Sequence, residues 1–82
     1  MDDDAIQSRI DTLEHEEARL RKDEEGAGPD TLPADRERLG AIKIELDQLW
    51  DLLRQRRALR SAGRNPDDAQ LRDANTVEKY LG

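Results

Sequence analysis

The stretch that decides the fold is residues 39–53, which read LGAIKIELDQLWDLL. Its apolar residues recur at alternating intervals of three and four, which is the repeat of an α-helix with one buried side. They are Leu39, Ile42, Leu46, Leu49 and Leu53. Trp50 and Leu52 flank this seam on opposite sides, so apolar residues cover roughly half of the helix circumference at about 100° per residue. The width of this arc predicts that the helix packs against more than one neighbour.

The residues around this stretch predict a helix over about residues 32–62. Thr31, Pro33 and Asp35 supply the hydroxyl cap, the early proline and the acidic first turn that are typical of a helix start. Gly63 is the predicted end of the helix, because glycine readily adopts the left-handed conformation that closes a helix.

A narrower apolar stripe predicts an earlier helix over about residues 4–25. Its seam has heptad spacing with one interruption at Glu17. The apolar members are Ile6, Ile10, Leu13 and Leu20. The aspartates at positions 2, 3 and 4 suit the start of this helix, and Asp4 with Gln7 has the spacing of a capping box. A linker is predicted over residues 26–31, where two glycines and Pro29 interrupt the helix.

These two helices predict an all-α fold, a coiled-coil-like antiparallel hairpin over residues 1–63. One register brings the two seams together along their whole length. It pairs Leu20 with Leu39, Leu13 with Leu46, Ile10 with Leu49 and Ile6 with Leu53. Residues 64–82 are predicted as a short helical tail, in which Asn65 and Pro66 begin one short helix and Thr76 caps a last turn.

An isolated hairpin of this kind is expected to be only marginally stable. Each apolar side chain of the first helix is worth about 1.5–3 kcal/mol when buried, whereas ordering each residue of the chain costs about 1.5 kcal/mol. One interpretation is a homodimer in which two hairpins form a four-helix bundle. Its predicted core and subunit contact consist of Leu46, Leu49, Trp50, Leu52 and Leu53. The other interpretation is a monomer whose tail covers the arc with Val77, Tyr80 and Leu81.

The composition argues against several classes of function. The chain has 82 residues, 41% of them charged, and a net charge of −6, which disfavours a general binder of nucleic acid or of anionic membranes. The absence of cysteine excludes disulfides and thiolate metal sites. The acidic N-terminus lacks the pattern of a signal peptide, and no apolar run approaches the length of a membrane span. We therefore expect a cytoplasmic protein without membrane contact.

A cluster of arginines at the end of the second helix is the first candidate site. It contains Arg54, Arg56, Arg57, Arg60 and Arg64. The functional interpretation is a basic patch that clamps the phosphates of RNA, DNA or a nucleotide. The structural interpretation is favoured, because cations suit a helix C-terminus and the hairpin register places the N-terminal aspartates beside them. No aromatic residue is interleaved for base stacking, which weakens the nucleic-acid case.

The other two candidate site residues lie on the first helix: the imidazole of His15 and the carboxylate of Glu17. His15 lacks the partners of a di-iron or zincin motif, since Thr12 and Arg19 stand where the further ligands belong. Glu17 occupies a seam position, where it either fixes the register, with Lys43 as its predicted partner, or lines a cation-binding cavity. We favour the register role. No metal site, cofactor or catalytic constellation is predicted, so the sequence indicates a non-enzymatic protein.

Three stretches of the chain form a pattern: residues 1–6 (MDDDAI), 50–58 (WDLLRQRRA) and 77–81 (VEKYL). Together they resemble a family of short actinobacterial proteins known only as a domain of unknown function, over nearly the whole chain. The resemblance implies a bacterial cytoplasmic setting. It implies no activity and no functional residue.

Two functional hypotheses follow from these observations. The first is a non-enzymatic interaction protein that acts as a homodimer and contacts a protein partner through its charged outer faces or its tail. The alternative is a nucleic-acid- or ribosome-associated factor that uses the arginine cluster, with binding that weakens steeply as salt rises.

Overall fold

The computed structural model describes residues 1–27 and 33–81, with the side chains of residues 1–22 and 33–77. Helix α1 spans Asp3–Ala27 and helix α2 spans Pro33–Ser61. A single 3₁₀ turn at Pro66–Asp68 follows, and helix α3 spans Ala74–Leu81. Within the described residues there is no strand, so the predicted all-α fold of two long helices and a short helical tail is confirmed.

The start of α1 differs in detail from the prediction. Asp2 is the cap, because its Oδ1 accepts a hydrogen bond from the Ala5 backbone N–H at 2.8 Å. The predicted capping box of Asp4 with Gln7 does not form, since the Gln7 side chain donates forward to Asp11 Oδ1 at 3.2 Å. The helix also continues through Gly26 to Ala27, while the predicted linker signals at Gly28, Pro29 and Thr31 lie outside the described residues.

The end of α2 is confirmed at Gly63, which has a φ of 72°. The Gly63 N–H donates to the Arg60 carbonyl at 3.1 Å, and the Arg64 N–H donates to the Leu59 carbonyl at 2.8 Å. These two bonds satisfy carbonyls that the helix leaves free, in the pattern of a Schellman motif. The left-handed conformation explains why a glycine is needed here.

Helices α1 and α2 pack antiparallel around a shared aliphatic core. Its buried members are Ile6, Ile10, Leu13, Ile42, Leu49, Leu52 and Leu53. Two forked ion pairs join the helices beside this core: Arg9 with Glu45, at 2.6 and 3.1 Å, and Arg38 with Glu16, at 2.7 and 3.1 Å. No helix within the described ranges combines the length and the apolarity that crossing a membrane requires.

The tail folds back onto α2. The Asn65 side chain accepts from the Asp67 N–H at 2.9 Å and caps the 3₁₀ turn, as predicted. The cap of α3 is Asp73, which accepts from the Thr76 N–H at 2.8 Å, so the prediction of Thr76 as the cap is wrong. Helix α3 contacts α2, and Val77 is buried. Ala69 packs against the aliphatic core.

Candidate functional site

Two charged side chains are buried within the described part of the chain, and both come from α2: Asp51 and Arg56. Arg56 Nε donates to Asp3 Oδ1. Its Nη1 donates to Asp67 Oδ1 at 3.0 Å and to the Pro66 carbonyl at 3.2 Å. One guanidinium on α2 therefore joins the first turn of α1 to the 3₁₀ turn.

Asp3 receives a second cation from α2. Arg60 Nη2 donates to its Oδ2 at 2.7 Å. The hydrogen bond from Arg56, followed by the one from Arg60, holds the pKa of the Asp3 carboxyl below its ordinary value, because both bonds favour the charged form. Arg56 and Arg60 form a charge network with Asp3 and Asp67 at one end of the hairpin.

Asp51 is buried on the side of α2 that faces the tail. Its Oδ2 accepts from Arg72 Nε and from Gln55 Nε2, both at 2.9 Å. Its Oδ1 has no hydrogen-bond partner among the residues that the structure describes. Gln55 also bonds the backbone of Gln70 in both directions, at 2.7 and 3.3 Å, and Gln48 donates to the Arg72 carbonyl at 3.1 Å. We call Gln48, Asp51 and Gln55 the tail clasp.

The sequence reasoning missed the tail clasp. The available signal was its spacing, since Gln48, Asp51 and Gln55 recur at three and four residues and therefore share one side of α2. Leu52 lies beside them within the apolar arc. A polar stripe of this kind is equally compatible with exposure to solvent, so the pattern by itself does not predict that the tail binds it.

The arginine cluster is divided by the structure. Arg56 and Arg60 both pair with Asp3, and Arg56 also pairs with Asp67, so one of the three N-terminal aspartates meets the cluster as predicted, at Arg56 but not at Arg57. Arg54, Arg57 and Arg64 are exposed, and none of the three forms an ion pair with the residues that the structure describes. A patch of five available cations is thereby reduced to three.

The residues predicted for a dimer contact fall into two groups, buried leucines and one exposed tryptophan. Leu49, Leu52 and Leu53 are 4%, 7% and 3% exposed within one chain, so they belong to its core and have no surface left for a subunit contact. Leu46 is partly buried against the same core. Trp50 alone stays outside, at 41% exposure.

The two candidates on α1 lie at the surface or pair locally. His15 is exposed, and its Nδ1 bonds the Asp11 carbonyl at 2.7 Å. Glu17 pairs with Arg21 at 3.7 Å, one turn along its own helix, so the predicted partnership with the exposed Lys43 is wrong. Among the side chains that the structure describes, no group of three or more His, Cys, Asp or Glu residues converges to hold a metal ion.

Comparison with known proteins gives relatives without an assigned activity. The chain is 56% identical over 48 residues to an uncharacterised protein of Mycobacterium tuberculosis and, at the same identity and length, to one of Mycobacterium bovis. The aligned segment covers 58% of this chain and 55% of each relative, so the match spans about half the length of those relatives. No solved structure matches. Residues 2–82 match the family described as a protein of unknown function, DUF2630, and the chain belongs to that family.

Proposed function

We propose that this protein is a non-enzymatic helical interaction protein that acts as a homodimer. The observation that carries the proposal is the exposure of Trp50, 41% of whose surface is open. A large aromatic side chain on the surface of a small, highly charged protein is a typical anchor of a protein contact. The cytoplasmic setting implied by the resemblance is part of the same proposal.

Trp50 lies on a continuous exposed side of α2. Lys43, Arg54 and Arg57 are spaced from it by seven, four and seven residues, so helical geometry places all four on one side. All four are exposed. We call these four residues the outer face of α2. It combines one apolar anchor with three cations that have no ion-pair partner among the described residues.

A second copy of the chain offers a surface of matching charge. Asp4, Asp11 and Glu14 are spaced by seven and three residues and form an exposed acidic stripe along α1. None of them has an ion-pair partner within the described residues. In a two-fold dimer, the acidic stripe of each α1 faces the basic outer face of the other α2, because a symmetric contact is used twice. The four long helices then form the predicted bundle.

The nucleic-acid alternative has weaker support. Two of the five arginines on which it depends are engaged in ion pairs, Arg56 with Asp3 and Asp67 and Arg60 with Asp3. Only Arg54, Arg57 and Arg64 of that cluster are left to contact phosphates, and sequence-independent binding depends on the number of such contacts.

The test of the homodimer is the mass of the protein in solution, measured by light scattering over a concentration series. We expect a mass near twice the 9.4 kDa of one chain. Trp50→Glu should give a monomer with unchanged helical circular dichroism, because Trp50 lies outside the core. Leu71→Glu is the matched control, since Leu71 is 58% exposed but lies in the tail. A wild-type monomer at all concentrations, or equal loss of the dimer in both variants, would contradict the proposal.

A further inference from the structure

The tail contains an extended segment, residues 69–73, between the 3₁₀ turn and α3. Ala69 at its start has extended backbone angles, with φ −64° and ψ 139°. The tail clasp bonds both the N–H and the C=O of Gln70, at 3.3 and 2.7 Å, and the C=O of Arg72, at 3.1 Å. Hydrogen bonds at alternate residues are the pattern of one edge of a β-strand. The clasp therefore occupies the edge of this segment that faces α2.

The opposite edge of the segment is open at Leu71. The backbone groups of successive residues in an extended chain point to opposite sides, so the N–H and C=O of Leu71 point away from the clasp. Neither group forms a hydrogen bond with any residue that the structure describes. Leu71 is also 58% exposed. A free donor and acceptor on an exposed extended edge are the groups that a second extended chain pairs with.

A groove of about 650 Å³ lies beside this edge. Ala69 and Leu71 line it from the tail, whereas Arg72 lines a different groove, which is the side-chain alternation of an extended segment. Met1, at 67% exposure, lines the groove from the α1 side. Two of the large apolar side chains that the fold leaves exposed thus lie at one groove.

The charged side chains that line the groove are already paired with one another. Arg9 donates to Glu45 at 2.6 and 3.1 Å, and Arg56 donates to Asp67 at 3.0 Å. A charged group that entered the groove would have to displace one of these pairs, at the cost of leaving a charge unpaired. An uncharged apolar side chain has no such cost and gains contact with the two exposed apolar residues.

The charge beside the edge favours a basic chain as the occupant. Asp68 directly precedes the segment, is exposed and forms no ion pair with the described residues. The whole chain has a net charge of −6. A second copy would offer its own residues 67–73, which read DDAQLRD and are acidic. Charge complementarity therefore favours a different protein over a second copy.

We propose that residues 69–73 bind an extended peptide segment of a partner protein by strand addition. The N–H and C=O of Leu71 pair with the peptide backbone. An apolar side chain of the peptide enters the groove between Met1 and Leu71, and a basic side chain lies near Asp68. The site shares no residue with the outer face of α2, so it does not depend on the homodimer proposed above.

The test is fluorescence anisotropy of the full chain with a labelled peptide, Lys-Val-Thr-Leu-Thr-Val-Lys. We expect saturable binding. Two versions of the peptide with N-methyl groups on alternate residues are the matched pair, because each lacks a different set of N–H groups and only one set faces the edge. One version should bind at least about tenfold more weakly than the parent peptide, and the other should bind like the parent.

Two variants locate the site on the protein. Leu71→Pro removes the N–H of the edge while proline keeps an extended backbone, so it should lower the affinity at least about tenfold. Leu71→Ala keeps that N–H and should lose clearly less. Trp50→Glu should bind the peptide like the wild type, which separates this proposal from the homodimer, and circular dichroism and melting check the fold of each variant.

Three results would overturn the proposal. One is the absence of saturable binding by the wild type. Another is an equal loss of affinity in the two N-methylated peptides, because backbone pairing along one edge cannot produce it. The third is an equal loss in Leu71→Pro and Leu71→Ala, which would assign the binding to the side chain of Leu71 and not to its backbone.

Discussion

The two covered sides of α2 are held by different chemistry. The side facing α1 is aliphatic, with Ile42, Leu49 and Leu53 packed against Ile6 and its neighbours on α1. The side facing the tail uses the tail clasp, which binds two backbone groups of Gln70 and one of Arg72, together with the buried guanidinium of Arg56. An aliphatic core tolerates substitutions that keep its volume and apolarity. A buried hydrogen bond is lost when either partner is removed, and the other partner is then left unsatisfied.

This difference teaches how a chain with few apolar residues builds a second contact. Only 34% of the residues are hydrophobic, and most of the large ones on α2 are used against α1. The tail therefore docks mainly through polar side chains that reach its backbone. We therefore expect that the tail can detach from α2 while the aliphatic core between α1 and α2 stays folded. Five changes, in order of decreasing expected effect, test this expectation.

The largest effect is expected from a break in the aliphatic side. Changing Leu49→Glu and Leu53→Glu together places two charges in a site that is 4% and 3% exposed. Burial of unpaired charges costs more than the few kcal/mol by which a small domain is stable. We expect loss of the folded state, measured as loss of helical circular dichroism and of a cooperative melt. A folded double variant would show that these leucines are not the centre of the core.

The next effect is expected at Arg56. Arg56→Met keeps the length of the side chain but leaves Asp67, the Pro66 carbonyl and part of Asp3 without their donor. Removal of one partner from a buried charged pair is strongly destabilising. We expect a clear drop in Tm, several times that of Arg57→Met, which removes an exposed cation that forms no ion pair with the described residues. Equal shifts in Tm would mean that the network at Asp3 contributes nothing specific.

A change confined to the tail side is expected at the tail clasp. Asp51→Ala removes the acceptor of Arg72 and Gln55, at a cost of about 1–3 kcal/mol for the unpaired groups. Hydrogen exchange should rise in residues 64–77 while the buried seam of α1 and α2 keeps its protection. If both regions lose protection together, the tail and the hairpin unfold as one unit and the comparison above fails.

The acid dependence of stability is expected to report on Asp3. Its pKa is lowered in the fold by Arg56 and then by Arg60, so the unfolded chain binds the proton more tightly. The stabilisation is therefore fully present above the ordinary pKa of 3.8 and is lost as the pH falls through the lowered value. Asp3→Asn should be less stable than the wild type at pH 6, and the difference should shrink at pH 2.5. Urea unfolding at both values measures it, and a constant difference would contradict the assignment.

The smallest effect is expected at an exposed ion pair between the long helices. Glu16→Gln removes the forked contact to Arg38, whose side chain is 43% exposed. Solvent screening limits such pairs to about 0.2–1 kcal/mol. The loss should disappear in about 1 M salt, where charges are screened within about 3 Å. A loss that persists in high salt would indicate packing and not charge as its cause.

The seam of α2 was predictable because its apolar residues follow the helical period over four turns. The end of α2 at Gly63 was predictable because glycine readily adopts the left-handed conformation that closes a helix. The partner of Asp3 was predictable in outline from the antiparallel register. The tail clasp was not, since Gln48 and Gln55 are equally suited to solvent. The cap at Asp73 was also missed, because Thr76 is itself a common cap residue and the sequence offers both.

The amino-acid sequence determined by itself that the chain forms two long helices, where α2 ends and that an aliphatic seam on each helix supplies the core, because helical periodicity and glycine conformation act over a few residues. Tertiary structure alone decided that Ala69 of the tail packs against the aliphatic core, that Asp51 and Arg56 are buried, and that Trp50 is left exposed. The two buried charges meet partners that lie 10 to 53 positions away in the chain. No local pattern in the sequence specifies which of several polar partners such a side chain meets.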